Sequence, residues 1–522
     1  MPKEYILTID LGTSGPKVSL FDFNAKTVDY NFQPVETIYP PGGGVEQHPA
    51  EWISAIETAY NHILQSSGIH PHFIRAINVS SQWSGTVAVD ESGKVLHNAL
   101  IWMDDRGAPY IRKKMSGPPK IQGYNIFKLI KWLRLTAGMP SLSGKDCTAH
   151  ILYIQDQLPQ VYANTKYFLE PKDYINYFLT GKFAASYDGV ALHWITDNRN
   201  INQISYHQGL ANSLGIDLKK LPELVPTNSI LGKVSKSLVD AWKLHPDTIV
   251  VSGAPDTNTA AVGSGAVNDY EGHIYYGTST WILTHLPKIL TDIHNNMATI
   301  PSSIPGRYLL VNEQECAGSL LNFLKNNLFF DKDIMDETLA PTDFYRRLDQ
   351  LIDGKDPGAN GLLFLPWFNG ERAPMDDHKA RGAYYNLSLR HKRADFVQAT
   401  FEGVALNSKW LLQAVEKNCG KPFEQIHFIG GGANSRQWCQ ILADVFDRPI
   451  AQIEEPVAAN SRGAALLALM AIGAIQQNEI KKMVGIKEIF SPIKKHTELY
   501  QQKFEIFKSV YKKNKSIFKQ LN

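Results

Sequence analysis

The sequence predicts an α/β protein built from two domains of similar architecture. Its 522 residues exceed the roughly 100–200 residues that one domain usually holds. Runs with the two-residue period of strands alternate with runs that have the helical period. A strand, the tripeptide Gly-Thr-Ser and a second strand occur together at Gly12 and again at Gly277, about half the chain apart. Because tripeptide, hairpin context and half-length offset coincide, the pattern indicates an internal duplication.

The first half of the chain begins with a predicted hairpin. Residues 5–9 form an apolar run and residues 17–21 alternate polar with apolar side chains, with a two-glycine turn between them. One apolar stripe predicts an amphipathic helix over residues 49–65. The later predictions are strands over 74–79 and up to 101–102, and a mainly helical region over about 110–245.

The second half repeats the strand pattern and ends in helices. A short buried strand over residues 248–252 precedes Asp256 and a helix of small residues over 257–263. Asn434 or Ser435 is the expected cap of a later helix. The other predicted elements are strands over 273–276, 281–285 and 425–429, a turn over 430–433, and helices over 436–446 and 497–518.

Composition and charge exclude several classes of function. Hydrophobic residues make up 43% of the chain, as in globular proteins. The 53 basic residues nearly balance the 51 acidic ones, so neither a nucleic-acid partner nor a membrane surface is indicated. The apolar run over residues 463–475 is shorter than the roughly 20 residues that span a bilayer, and the N-terminus lacks a signal-peptide pattern. Four scattered cysteines predict free thiols and a cytoplasmic protein.

The turn of the first hairpin has the composition of a phosphate or metal site. Asp10 stands at a strand end beside the turn, where backbone N–H groups can converge on an anion and a carboxylate can hold a hydrated Mg²⁺. Thr13 and Ser14 add hydroxyl donors, and Lys17 adds a positive charge. A hairpin with an Asx-type turn explains the same residues without a ligand, so both interpretations stay open.

The second hairpin and a later glycine turn could complete a nucleotide site. Gly277 and Thr278 would supply a matching phosphate contact from the second domain. The turn of Gly431, Gly432 and Ala433 allows a base or ribose to pack on the backbone, although a tight strand–helix turn is an equal alternative. The sequence contains no G-x-x-x-x-G-K-[ST] motif, which excludes a P-loop enzyme.

Asp256 is the candidate general base. Between a buried strand and a helix, its carboxylate could accept a hydroxyl proton during attack on a γ-phosphate. Aspartate is also a preferred helix cap, which is the alternative. Asp104, Asp105 and Arg106 form a polar cluster at a strand end, where ligands of open α/β sheets bind, and a surface turn is the alternative there.

In order along nearly the whole chain, these motifs resemble the FGGY family of carbohydrate kinases, in the superfamily of sugar kinases, actin and Hsp70. The xylulokinases are the most similar in pattern. The matching segments are IDLGTSGPKVSLFD (9–22), VEQHPAEW (45–52), IWMDDR (101–106), EPKDYINYFLTGKFAASYDG (170–189), GAPDTNTAAVGSGAV (253–267), YYGTSTW (275–281), FLPWFNGERAP (364–374), FEGVA (401–405) and FIGGGANSRQWCQILAD (428–444).

The resemblance implies an ATP- and Mg²⁺-dependent kinase with two RNase-H-like domains flanking a catalytic cleft. The sugar-binding domain would span residues 1–255, the ATP-binding domain 256–490 and a C-terminal amphipathic helix 491–522. Asp256 occupies the position of the catalytic base, and Asp10 that of the magnesium-associated catalytic aspartate, with water between carboxylate and metal. The implied ATP contacts are Thr13, Ser14, Lys17, Gly277, Thr278, Gly318, Asn322, Gly431, Gly432 and Ala433.

The expected sugar side departs from the family pattern. Where xylulokinases read Gly-Gln-Met-His-Gly, this chain has Trp83 in place of the methionine and Ser84 in place of the histidine. Thr257 stands where xylulokinases often have asparagine. D-xylulose, converted to xylulose 5-phosphate, is the first expectation. The alternatives are a kinase of the same family for ribulose, erythritol or gluconate, and a non-catalytic nucleotide-dependent binding protein of the same fold. Sugar and ATP are the expected ligands, and the protein is expected to form a homodimer. The expected sugar contacts are Gln82, Trp83, Ser84, Asp104, Arg106 and Thr257.

Overall fold

The computed structural model describes residues 4–331 and 339–522. Helices and strands are numbered in chain order. The strands are β1 Tyr5–Gly12, β2 Gly15–Asp22, β3 Thr27–Phe32, β4 Glu46–Gln47, β5 Ile74–Ser81, β6 Val87–Val89, β7 Ala99–Leu100, β8 Lys120–Ile121, β9 Tyr124–Asn125, β10 Tyr167–Leu169, β11 Ala184–Ser186, β12 Thr196–Asp197, β13 Ser205–Tyr206, β14 Glu223–Val225, β15 Ile230–Lys233, β16 Ile249–Pro255, β17 Gly272–Tyr276, β18 Thr280–Leu286, β19 Ala298–Pro301, β20 Tyr308–Val311, β21 Leu363–Leu365, β22 Ala383–Tyr385, β23 Ile426–Ile429, β24 Ile450–Ile453 and β25 Ile486–Phe490. The α-helices are α1 Pro49–Ser67, α2 Ala108–Met115, α3 Ile126–Thr136, α4 Cys147–Gln157, α5 Pro159–Asn164, α6 Pro171–Thr180, α7 Gln208–Leu214, α8 Lys236–Trp242, α9 Asp256–Gly263, α10 Gly318–Phe323, α11 Phe344–Ile352, α12 Arg393–Cys419, α13 Arg436–Phe446, α14 Ala459–Ala471, α15 Ile480–Met483 and α16 Lys494–Leu521.

Two mixed sheets share one strand order, which confirms the predicted α/β class and the repeated architecture. The first sheet runs β15-β16-β5-β1-β2-β3, with β1 antiparallel to β2 and parallel to β5. The second sheet runs β19-β20-β18-β17-β23-β24-β25, with β17 antiparallel to β18 and parallel to β23. In each sheet the second strand of a hairpin therefore pairs with an antiparallel third strand. The first strand of the hairpin lies beside two strands that run parallel to it.

Local sequence patterns account for most of the predicted elements. Helix α1 buries the predicted apolar stripe, including Trp52 and Ile56. Helix α13 has the predicted bounds, and of the two candidate caps Ser435 accepts a hydrogen bond at Oγ from the backbone N–H of Trp438, at 2.9 Å. The strand expected to reach residues 101–102 is shorter, because the backbone turns back where the N–H of Asp104 bonds to the carbonyl of Ile101 at 2.8 Å.

The two sheets are joined through a crossing of α9 and α14. Helix α9 follows β16 of the first sheet, whereas α14 follows β24 of the second sheet and packs against β1 and β5 of the first. The Asn78 amide donates a hydrogen bond to the carbonyl of Ala464 at 2.7 Å, and the Arg462 guanidinium donates to the carbonyl of Gly263 at 2.8 Å. The first of these buried contacts holds the second half of the chain against the first half, and the second joins α14 to the end of α9.

The C-terminal helix α16 is docked by its apolar face and by a buried ion pair. It buries Phe504, Phe507 and Tyr511. Lys503 Nζ lies 2.7 Å from Glu402 Oε2 and donates to the carbonyls of Gly358 and Leu362, at 2.9 and 3.1 Å. In the described part of the chain, no helix combines the length and apolar character needed to cross a bilayer. The domain bounds given above stay a prediction.

Candidate active site

Asp10 and Asp256 lie at the carboxyl ends of parallel strands in the first sheet. Asp10 is near the end of β1, and Asp256 is the first residue of α9, directly after β16. Because β1, β5 and β16 run parallel, their carboxyl ends meet at one edge of the sheet. Asp256 Oδ1 accepts a hydrogen bond from the Thr257 N–H at 2.7 Å. Pro255, and not Asp256, occupies the cap position of α9, which weakens the capping interpretation.

The surroundings of Asp256 weaken the acidity of its carboxyl group. Burial, followed by the negative charges of Asp10 and Glu313, raises the pKa of Asp256 to about 7, against the opposing effect of the Thr257 N–H. A general base works best when its pKa lies near the operating pH. The carboxylate predicted to be catalytic therefore has the electrostatic environment that this role requires.

Lys17 connects the first hairpin to the second half of the chain. Its Nζ lies 3.4 Å from Asp10 Oδ2 and 3.3 Å from the carbonyl of Val457, just before α14. Asp10, Asp256 and Glu313 place several negative charges in this region. Carboxylate oxygens are the ligands that Mg²⁺ prefers, so the donor set fits a magnesium-bound nucleotide.

The predicted phosphate residues of the first hairpin face two different directions. The turn consists of Thr13 and Ser14, between the paired Gly12 and Gly15. Thr13 Oγ1 donates to Gln82 Oε1 at 3.3 Å, and Ser14 is exposed. Thr13 thus also contacts the predicted sugar side, while Ser14 is free to meet a ligand.

The second hairpin gathers three predicted nucleotide contacts. The Gly318 N–H at the start of α10 donates to the carbonyl of Gly277 at 2.8 Å. The Ala317 N–H donates to the carbonyl of Thr278 at 2.9 Å, and the Thr278 side chain is exposed. The structure therefore brings Gly277, Thr278 and Gly318 together beside exposed backbone.

Asn322 and the glycine turn both adjoin helix α11. The Tyr345 hydroxyl donates to Asn322 Oδ1, and Ser435, just after the turn, donates to Asp349. Gly431 is exposed and has open space where a Cβ would stand, as a ligand surface requires. At Gly432, by contrast, a Cβ would fall 2.6 Å from Cβ of Tyr276, so this glycine serves packing.

Ala433 is buried, and its carbonyl accepts a hydrogen bond from Gln452 Nε2 at 2.6 Å. The side chain of Ala433 therefore packs inside the second half of the chain. A contact of this residue with ATP stays a prediction.

Gln82, Trp83 and Ser84 form a loop directly after β5. Gln82 Nε2 donates to Gln47 Oε1 at 3.0 Å, and Trp83 Nε1 donates to the carbonyl of Gly189 at 2.7 Å. Ser84 is buried and has a left-handed backbone, with φ of 59°. The buried hydroxyl of Thr257 has no hydrogen-bond partner among the described residues, so it is free to accept or donate a bond to a substrate hydroxyl.

Asp104 and Arg106 bind each other. The Asp104 carboxylate is fully buried and accepts from the Val45 N–H at 2.9 Å and from Arg106 Nε at 3.0 Å. Arg106 also donates to Glu46 Oε1 at 2.6 Å and to the Tyr153 hydroxyl at 3.1 Å. Because most of their hydrogen-bonding capacity is used internally, a direct contact with sugar stays a prediction that this geometry disfavours.

Tyr275, Glu313 and Arg372 were not identified as site residues from the sequence, and the first two lie near Asp256. Tyr275 stacks on Trp281 with ring centroids 4.0 Å apart, and burial together with the charges of Asp256 and Asp10 raises the pKa of Tyr275 to about 12. Arg372 forms an ion pair with Glu313. The Gly-Glu-Arg motif and the position of Tyr275 beside the second hairpin were visible signals, but the partners of Arg372 and Tyr275 depend on tertiary structure.

Known proteins are similar to this chain along nearly its whole length. Residues 5–263 match the N-terminal domain of the FGGY family of carbohydrate kinases, and residues 272–472 match its C-terminal domain. A xylulose kinase of Staphylococcus epidermidis is 28% identical, over 99% of this chain and 98% of its own length. A gluconokinase of Bacillus subtilis is 26% identical, over 96% and 94%. The crystal structure of a ligand-bound xylulose kinase from Lactobacillus acidophilus, 24% identical, covers 99% of this chain and 100% of its own with a TM-score of 0.85, which shows the same fold.

Proposed function

Because this chain belongs to the FGGY family of carbohydrate kinases and is a sugar kinase, we propose that it phosphorylates an uncharged ketose or polyol of about five carbons. D-xylulose, yielding xylulose 5-phosphate, is the first candidate. Ribulose and erythritol are further candidates. ATP, the co-substrate of sugar kinases in this family, is the phosphoryl donor.

In the proposed reaction, Asp256 accepts the proton of the sugar hydroxyl. The hydroxyl oxygen attacks the γ-phosphorus as the bond from this phosphorus to the bridging oxygen of ADP breaks. Mg²⁺, when bound with ATP near Asp10, would neutralise negative charge on the phosphates. Ser14, Lys17 and Thr278, together with the backbone of the two hairpins, would bind phosphate oxygens. The raised pKa of Asp256 is the observation that best supports this role.

The internal hydrogen bonds of the Arg106 guanidinium support an uncharged substrate. Arg106 is the cation in the predicted sugar-binding set, yet its guanidinium is bonded to Asp104, Glu46 and Tyr153. A sugar acid would bring its carboxylate into the predicted sugar-binding set without a free guanidinium to pair with it. Gluconate, suggested by the gluconokinase relative, is therefore a less favoured candidate than the uncharged sugars.

A coupled assay of ADP release with a panel of sugars tests the proposal. We expect kcat/KM to be highest for xylulose or another uncharged five-carbon substrate and low for gluconate. A panel led by gluconate would refute the substrate proposal while leaving the kinase assignment intact. The assay includes a no-sugar control, because slow ATP hydrolysis also releases ADP.

We also propose that the first predicted domain binds the sugar, that the second binds most of the ATP and that the protein is a cytoplasmic homodimer. The loop of Gln82, Trp83 and Ser84 directly after β5 supports the sugar side, and the open surface at Gly431 supports the nucleotide side. Gel filtration with light scattering measures the assembly state.

A further inference from the structure

A buried cluster of cysteine, glutamate and histidine lies behind the loop of Trp83 and Ser84. Cys147 is the first residue of α4, Glu170 directly precedes α6, and His193 lies in a turn before β12. Cys147 Sγ lies 2.8 Å from Glu170 Oε1, and His193 Nε2 lies 3.3 Å from the same oxygen. One donor atom from each residue lies within 4.8 Å of the other two.

The imidazole of His193 is the observation that points to a ligand at this cluster. The side chain is 3% exposed, and neither ring nitrogen has a hydrogen-bond partner among the described residues. A buried polar group without a partner is destabilising, so a ligand bound at this imidazole would offset the cost of its burial. A thiol proton donated to Glu170 would pair those two residues, whereas the imidazole, although 3.3 Å from Glu170 Oε1, makes no hydrogen bond of normal geometry.

We propose that Cys147 Sγ, Glu170 Oε1 and His193 Nε2 bind one zinc-like divalent cation. Thiolate, carboxylate and imidazole are the donors that zinc takes in proteins. On binding, the Cys147 thiol releases its proton to solvent, and the thiolate and carboxylate charges balance the two positive charges of the ion. The carbonyl of Gly85 lies 3.2 Å from Cys147 Sγ, in a position to serve as the fourth ligand.

The proposed ion would position the loop that carries the predicted sugar contacts. The Gly85 N–H donates to Glu170 Oε2 at 3.2 Å, and Gly85 directly follows Ser84. Glu170 thus joins the ion to this loop as a positioning residue. This consequence rests on the proposed function, whereas the metal site itself does not.

Cobalt substitution tests the site without a kinase assay. The full chain, without a histidine tag, is produced in minimal medium with Co²⁺ in place of Zn²⁺, so that the ion is present while the protein folds. We expect about one Co²⁺ per chain and a thiolate-to-cobalt absorption band in the near ultraviolet. The Cys147→Ser variant should lose the band, and His193→Gln should reduce the bound cobalt at least tenfold.

Cys439 provides the matched control. Cys439 is also buried, and its Sγ contacts the carbonyl of Ala433, so Cys439→Ser should keep the full band. A wild-type protein with a cobalt content below about a tenth of an ion per chain would overturn the proposal, and this outcome requires no variant to fold. Retention of the band in Cys147→Ser would overturn it equally. A missing kinase activity would bear only on the proposed function.

Discussion

Gly263 and Gly463 bring the backbones of α9 and α14 into direct contact. A Cβ on Gly263 would fall 1.8 Å from the carbonyl oxygen of Ala459, and a Cβ on Gly463 would fall 1.8 Å from that of Thr259. Both obstacles are backbone atoms, which cannot rotate away as a side chain can. Because α9 begins with Asp256, this crossing also fixes the position of the proposed base relative to the second sheet.

Substitution of Gly263 by alanine should separate the two helices. Overpacking of a tight contact costs typically about 1–3 kcal/mol, so we expect Gly263→Ala and Gly463→Ala each to lower Tm clearly in thermal unfolding. Gly209→Ala is the matched control, since Gly209 is also helical and its Cβ would meet the His207 ring, a movable side chain, at 3.1 Å. Equal Tm values for Gly209→Ala and Gly263→Ala would contradict the packing argument.

Removal of the proton acceptor should abolish most turnover. Asp256→Asn keeps the shape of the side chain but cannot accept the proton, so we expect kcat to fall by about 10²–10⁴ with ATP affinity retained. Steady-state kinetics and nucleotide titration measure the two quantities. The control is Asp240→Asn at an exposed position of α8. Retention of more than about a tenth of the wild-type kcat would rule out Asp256 as the base.

The activity should depend on pH through Asp256. Because the pKa of Asp256 is about 7 and the ionised form is the base, kcat/KM for the sugar should fall about tenfold for each pH unit below 7. Glu313→Gln removes a negative charge that raises this pKa, so the fall should begin at a lower pH. The exposed Glu498→Gln serves as the control and should not move the profile. An unchanged profile in Glu313→Gln would contradict the electrostatic assignment.

The loop after β5 should influence substrate choice. Trp83→Met with Ser84→His restores the residue pair typical of xylulokinases and should shift kcat/KM towards D-xylulose, relative to ribulose, erythritol and gluconate. The left-handed backbone at Ser84 tolerates histidine better than most residues, so the double variant should fold. An unchanged ranking of the four substrates would show that this pair does not determine specificity.

The buried ion pair of α16 should contribute to stability. Lys503→Met would leave the buried Glu402 carboxylate without its partner, at a cost of about 3–5 kcal/mol, and should therefore lower Tm. The control is Lys508→Met on the same helix, whose partner Glu505 is exposed and whose loss should cost less than about 1 kcal/mol. Similar Tm values for the two variants would mean that the apolar face alone docks the helix.

The sequence was sufficient for the features that depend on neighbouring residues. The two hairpins, the strand before Asp256 and the helix capped by Ser435 follow from local periodicity, turn glycines and a capping hydroxyl. The repeat of Gly-Thr-Ser also predicted an internal duplication, and the same hairpin pattern is found in both sheets. Fold class and the chemical type of the site could therefore be predicted.

The partners of the site residues were decided by tertiary structure. The sequence could not show that Arg106 binds Glu46, that Thr13 bonds to Gln82, or that Cys147 meets His193. A hydrogen bond or ion pair depends on the relative placement of segments far apart in the chain, and local periodicity carries no information on that placement. By itself the sequence determined two similar domains and the types of residue in the site. Only the folded chain decided which of these residues stay free for a ligand and which are used to hold the protein together.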